Sequence, residues 1–320
     1  MVPIAALVPA RPGTYDAAMI CVPPRIPLSL SIAVVLLAAS APAPGQEPTG
    51  RAETEAFVER RLSSLTRDDG WLSLVGLFVL NRPQLTLGSD PESDLELPDR
   101  HPARVGTLLV GEDGVRFRAA SDVEARVDDR AIDALRLESD TEGTPTVVEV
   151  GPLLFYVIER NDRPYLRVKD REAPLLRTFD GIERWDYDPA YRVEARWLPH
   201  AESHELFVPD VLGGGSGVEC RGVLEFELQG TTLRLEPTGY GAERWSFIYG
   251  DATNGVASYG GGRFLYFDPP GPDGRTTLDF NQSYNPPCAF TPYSTCPLPP
   301  PDNVLDVAVL AGEKTWDGSH

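Results

Sequence analysis

"GVLEFELQGTTLRLEP", residues 222–237, decides the fold class. Leu224, Phe226 and Leu228 occupy alternate positions, with Val223 beside them. Leu233 and Leu235 resume the alternation beyond Gln229–Gly230. Apolar residues at period two share one side of a strand, whereas a helix needs them every three to four positions. A two-residue step ending in glycine between such runs is hairpin chemistry. The segment therefore predicts an antiparallel hairpin with one buried side.

The same device recurs upstream. "TLLVGEDGVRFRA" (107–119) turns around Gly111–Gly114, and "ERNDRPYLRVKD" (159–170) turns at Asn161–Asp162. "WLSLVGLFVL" (71–80) and "PLLFYVIER" (152–160) are apolar enough for central strands. Ahead of them, "ETEAFVERRLSSLTRDDG" (53–70) carries Val58, Leu62 and Leu65 at i, i+4 and i+7, an amphipathic stripe closed by Gly70. The expected protein is mainly antiparallel β, with one N-terminal helix over 47–70. Two sandwich- or barrel-like units follow, at 71–178 and 179–314, and a tail at 315–320.

Within the first unit, "LGSDPESDLELPDRHPARVGTL" (87–108) resembles the forkhead-associated domain. That family reads phosphothreonine with an Arg after the turn glycine and a Ser-x-x-His element. This chain has Ser89 in the first place, and Arg100 and His101 do not supply the second. The resemblance implies a similarly built sandwich without phosphopeptide recognition.

Charge narrows the partners. Lys and Arg number 29 against 48 Asp and Glu, a formal net charge of −19 spread along the chain. Nucleic-acid binding needs a basic footprint, so it is not expected. Residues 1–46 differ from the rest. "IPLSLSIAVVLLAAS" (26–40) follows Arg25 and precedes "APAPG", the layout of a secretory signal, with Met19 a candidate start. The run falls short of the ~20 residues of a membrane span, so an exported protein, periplasmic or secreted, is expected. An uncleaved, membrane-anchoring leader is the alternative.

Motif searches mostly fail. Ser216 in "GGGSGV" lacks the glycine two places on that a nucleophile elbow requires, and the glycines lack the Lys of a phosphate loop. "HAESH" would place His200, Glu202 and His204 on one side of a strand, a weak metal candidate set against an exposed turn. No metal or cofactor is assigned.

"DFNQSYNPPCAFTPYSTCPLPPPDN" (279–303) is the least regular stretch. Between Pro286 and Pro301, seven of sixteen residues are proline, a density that suggests disorder in a polar setting. Yet Tyr284, Phe290 and Tyr293 supply apolar surface, and strand-like runs enter and leave it. Cys288 and Cys296 are a candidate disulfide; reduced thiols and a metal or catalytic role are the alternatives. Cys220 is expected in the core. The Asn-Pro-Pro step is a candidate cis bond. An ordered loop is the expectation.

Together with "DATNGVASYGGGRFLYF" (251–267) and "AGEK" (311–314), this stretch resembles the domain of unknown function 1684 family of bacteria and archaea. "GWLSLVGLFVLNRPQLTLGSDPESDLELP" (70–98) resembles that family's opening. The resemblance implies no catalytic residues. It places Asp251, Thr253, Tyr259, Arg263, Asp279, Asn281 and Tyr284 at motif positions, with Asn285, Cys288, Cys296, Asn303, Glu313 and Lys314; "HAESH" is not among them. The expected function is a non-catalytic module, either a scaffold or a binder of a small polar ligand in a pocket around 251–303. The alternative is a hydrolase with Asp279 as base and Arg263 or Lys314 stabilising an anion.

Overall fold

A computed structural model describes residues 50–318. The leader at 1–46 and the end of the tail lie outside the described residues. Helix α1 (Gly50–Leu65) precedes the sheets, and a second, short helix α2 (Pro174–Thr178) joins the two β units. Among the described residues no helix is long and apolar enough to cross a membrane.

The N-terminal unit is a sandwich. Its first sheet runs β1 (Leu74–Val79), β11 (Arg163–Asp170), β10 (Leu153–Arg160), β9 (Val148–Val150), β6 (Ala125–Val127) and β7 (Arg130–Ile132). Its second runs β3 (Leu95–Glu96), β2 (Gln84–Gly88), β4 (Gly106–Gly111), β5 (Gly114–Ala119) and β8 (Ala134–Leu137). Inward residues of both sheets, Leu87, Leu108 and Phe117 facing Phe155, Leu166 and Val168, form one core. Arg100 and His101 both turn toward the buried Asp170 at the end of β11.

The C-terminal unit is also built of open sheets. One contains β14 (Thr231–Leu235), β13 (Gly215–Leu228), β12 (Arg192–Pro209) and β18 (Arg275–Asp279). The other contains β15 (Gly239–Tyr240), β16 (Trp245–Tyr249) and β17 (Arg263–Phe267). The expected hairpin is β13–β14, with Leu224 opposite Leu235 and Phe226 opposite Leu233. Gln229 and Gly230 take φ of 55° and 76°, the double left-handed turn that matches strand twist. Leu224, Phe226 and Leu235 pack with Phe247, Phe267 and Phe280 in a second core. Among the described residues no sheet closes on itself, so the barrel-like half of the expectation does not apply.

Helix α1 departs from its expected register. Thr54 and Leu65 are its buried residues, and Arg61 turns inward between them. Val58 and Leu62 instead border a surface groove. The reason lies across the interface. α1 docks on a polar surface, where a threonine and an arginine find partners that a leucine would leave unpaired.

Candidate functional site

The proline-rich segment is folded. Three 3₁₀ turns, Phe280–Gln282, Pro287–Ala289 and Pro301–Asn303, carry it on from β18, and the run expected to leave it as a strand forms only isolated bridges. Isolated bridges pair Tyr284 with Phe264 on β17 and Val304 with Gly250. Phe290 is fully buried against Leu65, Leu72 and Ala289. Asn285–Pro286 is trans, since the described residues contain no cis peptide. The strap Ala311–Lys314 lies between 183–185 and Ser283. Trp185 N–H donates to Gly312 O at 3.1 Å, and Glu313 N–H to Ser283 O at 2.9 Å. Gly312 has φ of 82°, and a Cβ there would run into Ser283 O, so only glycine lets the strap lie this close.

The expected site residues converge, but on each other and on the backbone. Arg263 and Asp251 form an ion pair of 2.6 Å with neither side chain exposed. Arg263 also donates to the carbonyls of Val309 and Ala311. Asp251 Oδ1 accepts from the Thr253 hydroxyl at 2.7 Å and from Val309 N–H at 3.1 Å. Asn303 holds the backbone of Glu236, donating to its carbonyl and accepting its N–H, each at 2.8 Å. Asn281 does the same for Asp188. Asp279 takes the Thr54 hydroxyl of α1 at 3.2 Å and the Asn281 side chain at 2.8 Å.

Glu313 is the hub beneath α1. It accepts Asn285 N–H at 2.7 Å and Arg61 Nε at 3.2 Å, while Arg61 reaches Asn285 O at 2.8 Å. The Arg61 guanidinium lies 4.7 Å over the Tyr284 ring. Asn285 Nδ2 donates to Lys314 O, and Lys314 Nζ turns outward to Glu183 at 3.5 Å. Tyr259 is half-buried beside Phe290, its carbonyl taken by Asn254. Burial pushes the Tyr249 hydroxyl, which donates to Ser283, up to about 12. These residues frame the loop rather than line an opening within 251–303.

Sequence reasoning missed a groove beside this frame. A groove of about 510 Å³ lies between α1 and the segment 184–187. Val58, Leu62, Trp185 and Tyr187 give it apolar walls, and Arg51 and Arg184 face three acids there, Glu55, Glu59 and Asp186. Thr54, on its floor, connects it to Asp279. Arg184 donates through Nη2 to Asn281 O, while its buried Nη1 makes no hydrogen bond; the nearest acid is Glu313, 3.6 Å away. Burial draws this guanidinium below its ordinary value, against the pull of Glu313. The WDY run was visible in the sequence, but its position opposite α1 comes from long-range packing.

Residues 177–314 match the family described as "Protein of unknown function (DUF1684)". The segment 177–314 belongs to that family. The DUF1684 segment runs from α2 to the strap and contains every framing residue above except those of α1. The N-terminal sandwich, including the stretch 70–98 expected to resemble the family's opening, lies outside the match. The solution NMR structure of an uncharacterized protein of Haloarcula marismortui is 35% identical, covering 44% of this chain and 80% of that one, with a TM-score of 0.37. No curated protein matches.

Two further expectations need correction. Cys288 and Cys296 are thiols, not a bonded pair. Cys288 N–H donates to Cys296 Sγ at 3.1 Å, and the Ser294 hydroxyl donates to Cys288 Sγ at 3.0 Å. The Cys296 thiol's hydrogen bond holds Cys288 below its ordinary value, while burial pushes Cys296 up. The loop is closed by packing and hydrogen bonds instead of a covalent link. His200 and His204 do meet, with ring centroids 4.9 Å apart, but Glu202 is exposed and does not join them. A bulge in β12 carries Glu202 away, and Cys220 and Glu236 take its place.

Proposed function

We propose that this protein is an exported, non-catalytic binding module that holds a small anionic ligand in the groove between α1 and 184–187. The observation that carries the reading is Arg184: a largely buried guanidinium at the groove, with one nitrogen that makes no hydrogen bond and has only Glu313, 3.6 Å away, as its ionic partner. A buried charged donor left unmade is costly, and a carboxylate or phosphate oxygen removes that cost. Trp185 and Tyr187 offer an apolar wall for the rest of such a ligand. The pocket moves from the interior of 251–303 to the rim of the same frame.

Calorimetric titration with small carboxylates and inorganic phosphate is expected to show saturable binding. Arg184→Met should weaken it by roughly tenfold or more, the value of a hydrogen bond to a charged group. No binding of any anion, or equal binding by Arg184→Met, contradicts the reading. Export rests on the layout of residues 25–45, and a secreted product beginning near Gln46 is the expected result of N-terminal sequencing; a retained apolar run would argue for the anchor.

A purely architectural role is the second reading, favoured by how completely Asp251, Asn281 and Asn303 are occupied. The hydrolase reading has less support. Arg263 is enclosed and bound to Asp251 and carbonyls, Lys314 turns to Glu183, and Asp279 is bonded to Thr54 and Asn281.

A further inference from the structure

We propose that His200, His204, Cys220 and Glu236 form a zinc site that staples β12 to β13 and the end of β14. No residue of the groove takes part. One ligand atom from each of the four lies within 4.8 Å of all the others. A zinc tetrahedron with bonds of about 2.0–2.3 Å has edges of about 3.3–3.8 Å, so small side-chain rotations close the set. Both histidines present Nε2 to Glu236, at 3.5 Å from its two oxygens.

The strand geometry builds this arrangement. Between Pro199, opposite Gly222, and His204, opposite Cys220, five steps of β12 run against two of β13. The bulge bends β12 so that two imidazoles face the Cys220 sulfur, while Glu202 stays outside. Glu236 follows β14 directly, and Asn303 clamps its backbone from both sides. Outer partners of this kind fix a ligand's orientation.

Two buried atoms are left wanting. His200 Nε2 and Glu236 Oε2 are buried and make no hydrogen bond. Cys220 is wholly enclosed, its sulfur 3.3 Å from Gly222 O and in hydrogen-bonding contact with the Tyr240 hydroxyl and Glu236. Orphaned polar atoms around a sulfur are expensive in a metal-free core and are the donors a cation uses. Two imidazoles, one thiolate and one carboxylate suit zinc and disfavour calcium and magnesium, which take oxygen ligands. Four protein donors make the site closed and structural rather than catalytic. Binding forms Zn–N, Zn–S and Zn–O bonds and releases the Cys220 proton to solvent.

The test uses the full chain purified without chelators. Metal analysis is expected to give one zinc per chain, and cobalt(II) substitution a tetrahedral visible spectrum with a thiolate charge-transfer band. His204→Ala, at a half-exposed position that tolerates truncation, should weaken cobalt binding by roughly tenfold or more. Cys220→Ser should abolish the charge-transfer band, and Glu202→Gln should change nothing. Absence of a tetrahedral cobalt spectrum in the parent chain overturns the proposal. So does unchanged affinity in His204→Ala, or a loss in Glu202→Gln equal to that in His204→Ala. Should Cys220→Ser fail to fold, the stoichiometry and the His204→Ala titration decide.

Discussion

Replacing Arg263 with methionine will lower the unfolding free energy by about 3–5 kcal/mol. Arg263 and Asp251 are both fully enclosed, and the substitution leaves the Asp251 carboxylate buried without its cation. The carbonyls of Val309 and Ala311 lose their donor in the same step. Asp251 keeps Thr253 and the Val309 N–H, which limits the damage but does not neutralise the charge. Asp251→Asn should cost a comparable amount, since it leaves the enclosed Arg263 cation without its carboxylate and replaces the accepting Oδ2 with an amide N–H2. Urea denaturation of the three proteins measures the series; a loss under about 1 kcal/mol for Arg263→Met would mean that the pair is solvated.

Phe290→Ala should cost a comparable amount, about 3–5 kcal/mol, because it empties a fully buried aromatic site. Phe290 belongs to the proline-rich segment, yet it packs on Leu65 of α1 and Leu72 ahead of β1. Phe179 and Trp316 also pack around it, with ring centroids 6.3 and 5.5 Å away. The loss should therefore be felt at both ends of the described chain. In a free loop the same change would cost almost nothing. Thermal unfolding followed by tryptophan fluorescence reports on it directly, since Trp71 and Trp316 flank the site.

The hairpins were legible because one residue in two carries the message. Leu224, Phe226, Leu228, Leu233 and Leu235 needed no partner beyond the neighbouring strand to be read. The helix was half legible. Its existence follows from spacing, but its orientation depends on Glu313 and Asp279, more than 220 positions away. Val58 and Leu62 consequently look like core in the sequence and border a groove in the fold.

The candidate site shows the same division. The family resemblance singled out Asp251, Arg263, Asn285 and Asn303; in the structure Asp251 pairs with Arg263, and Asn285 and Asn303 hold neighbouring backbone. What the sequence could not tell is that so many of their partners are backbone carbonyls and amides. The irregular strap and turns have no ladder of their own, so buried side-chain amides and carboxylates complete their hydrogen bonds. Residue types that serve a ligand pocket also serve as internal backbone substitutes. HAESH illustrates the reverse case: two of its residues do meet, but a bulge chose different companions for them.

All of this depends on the segment 279–314 being held as firmly as the sheets. Native-state amide hydrogen exchange measures that most directly. The amides of Asn285, Leu305, Val309 and Glu313, bonded respectively to Glu313, Gly250, Asp251 and Ser283, should open only with the whole C-terminal unit, as slowly as those of β16 and β17. Exchange of these four amides at the rate of an unstructured peptide, while the strands stay protected, would contradict the account.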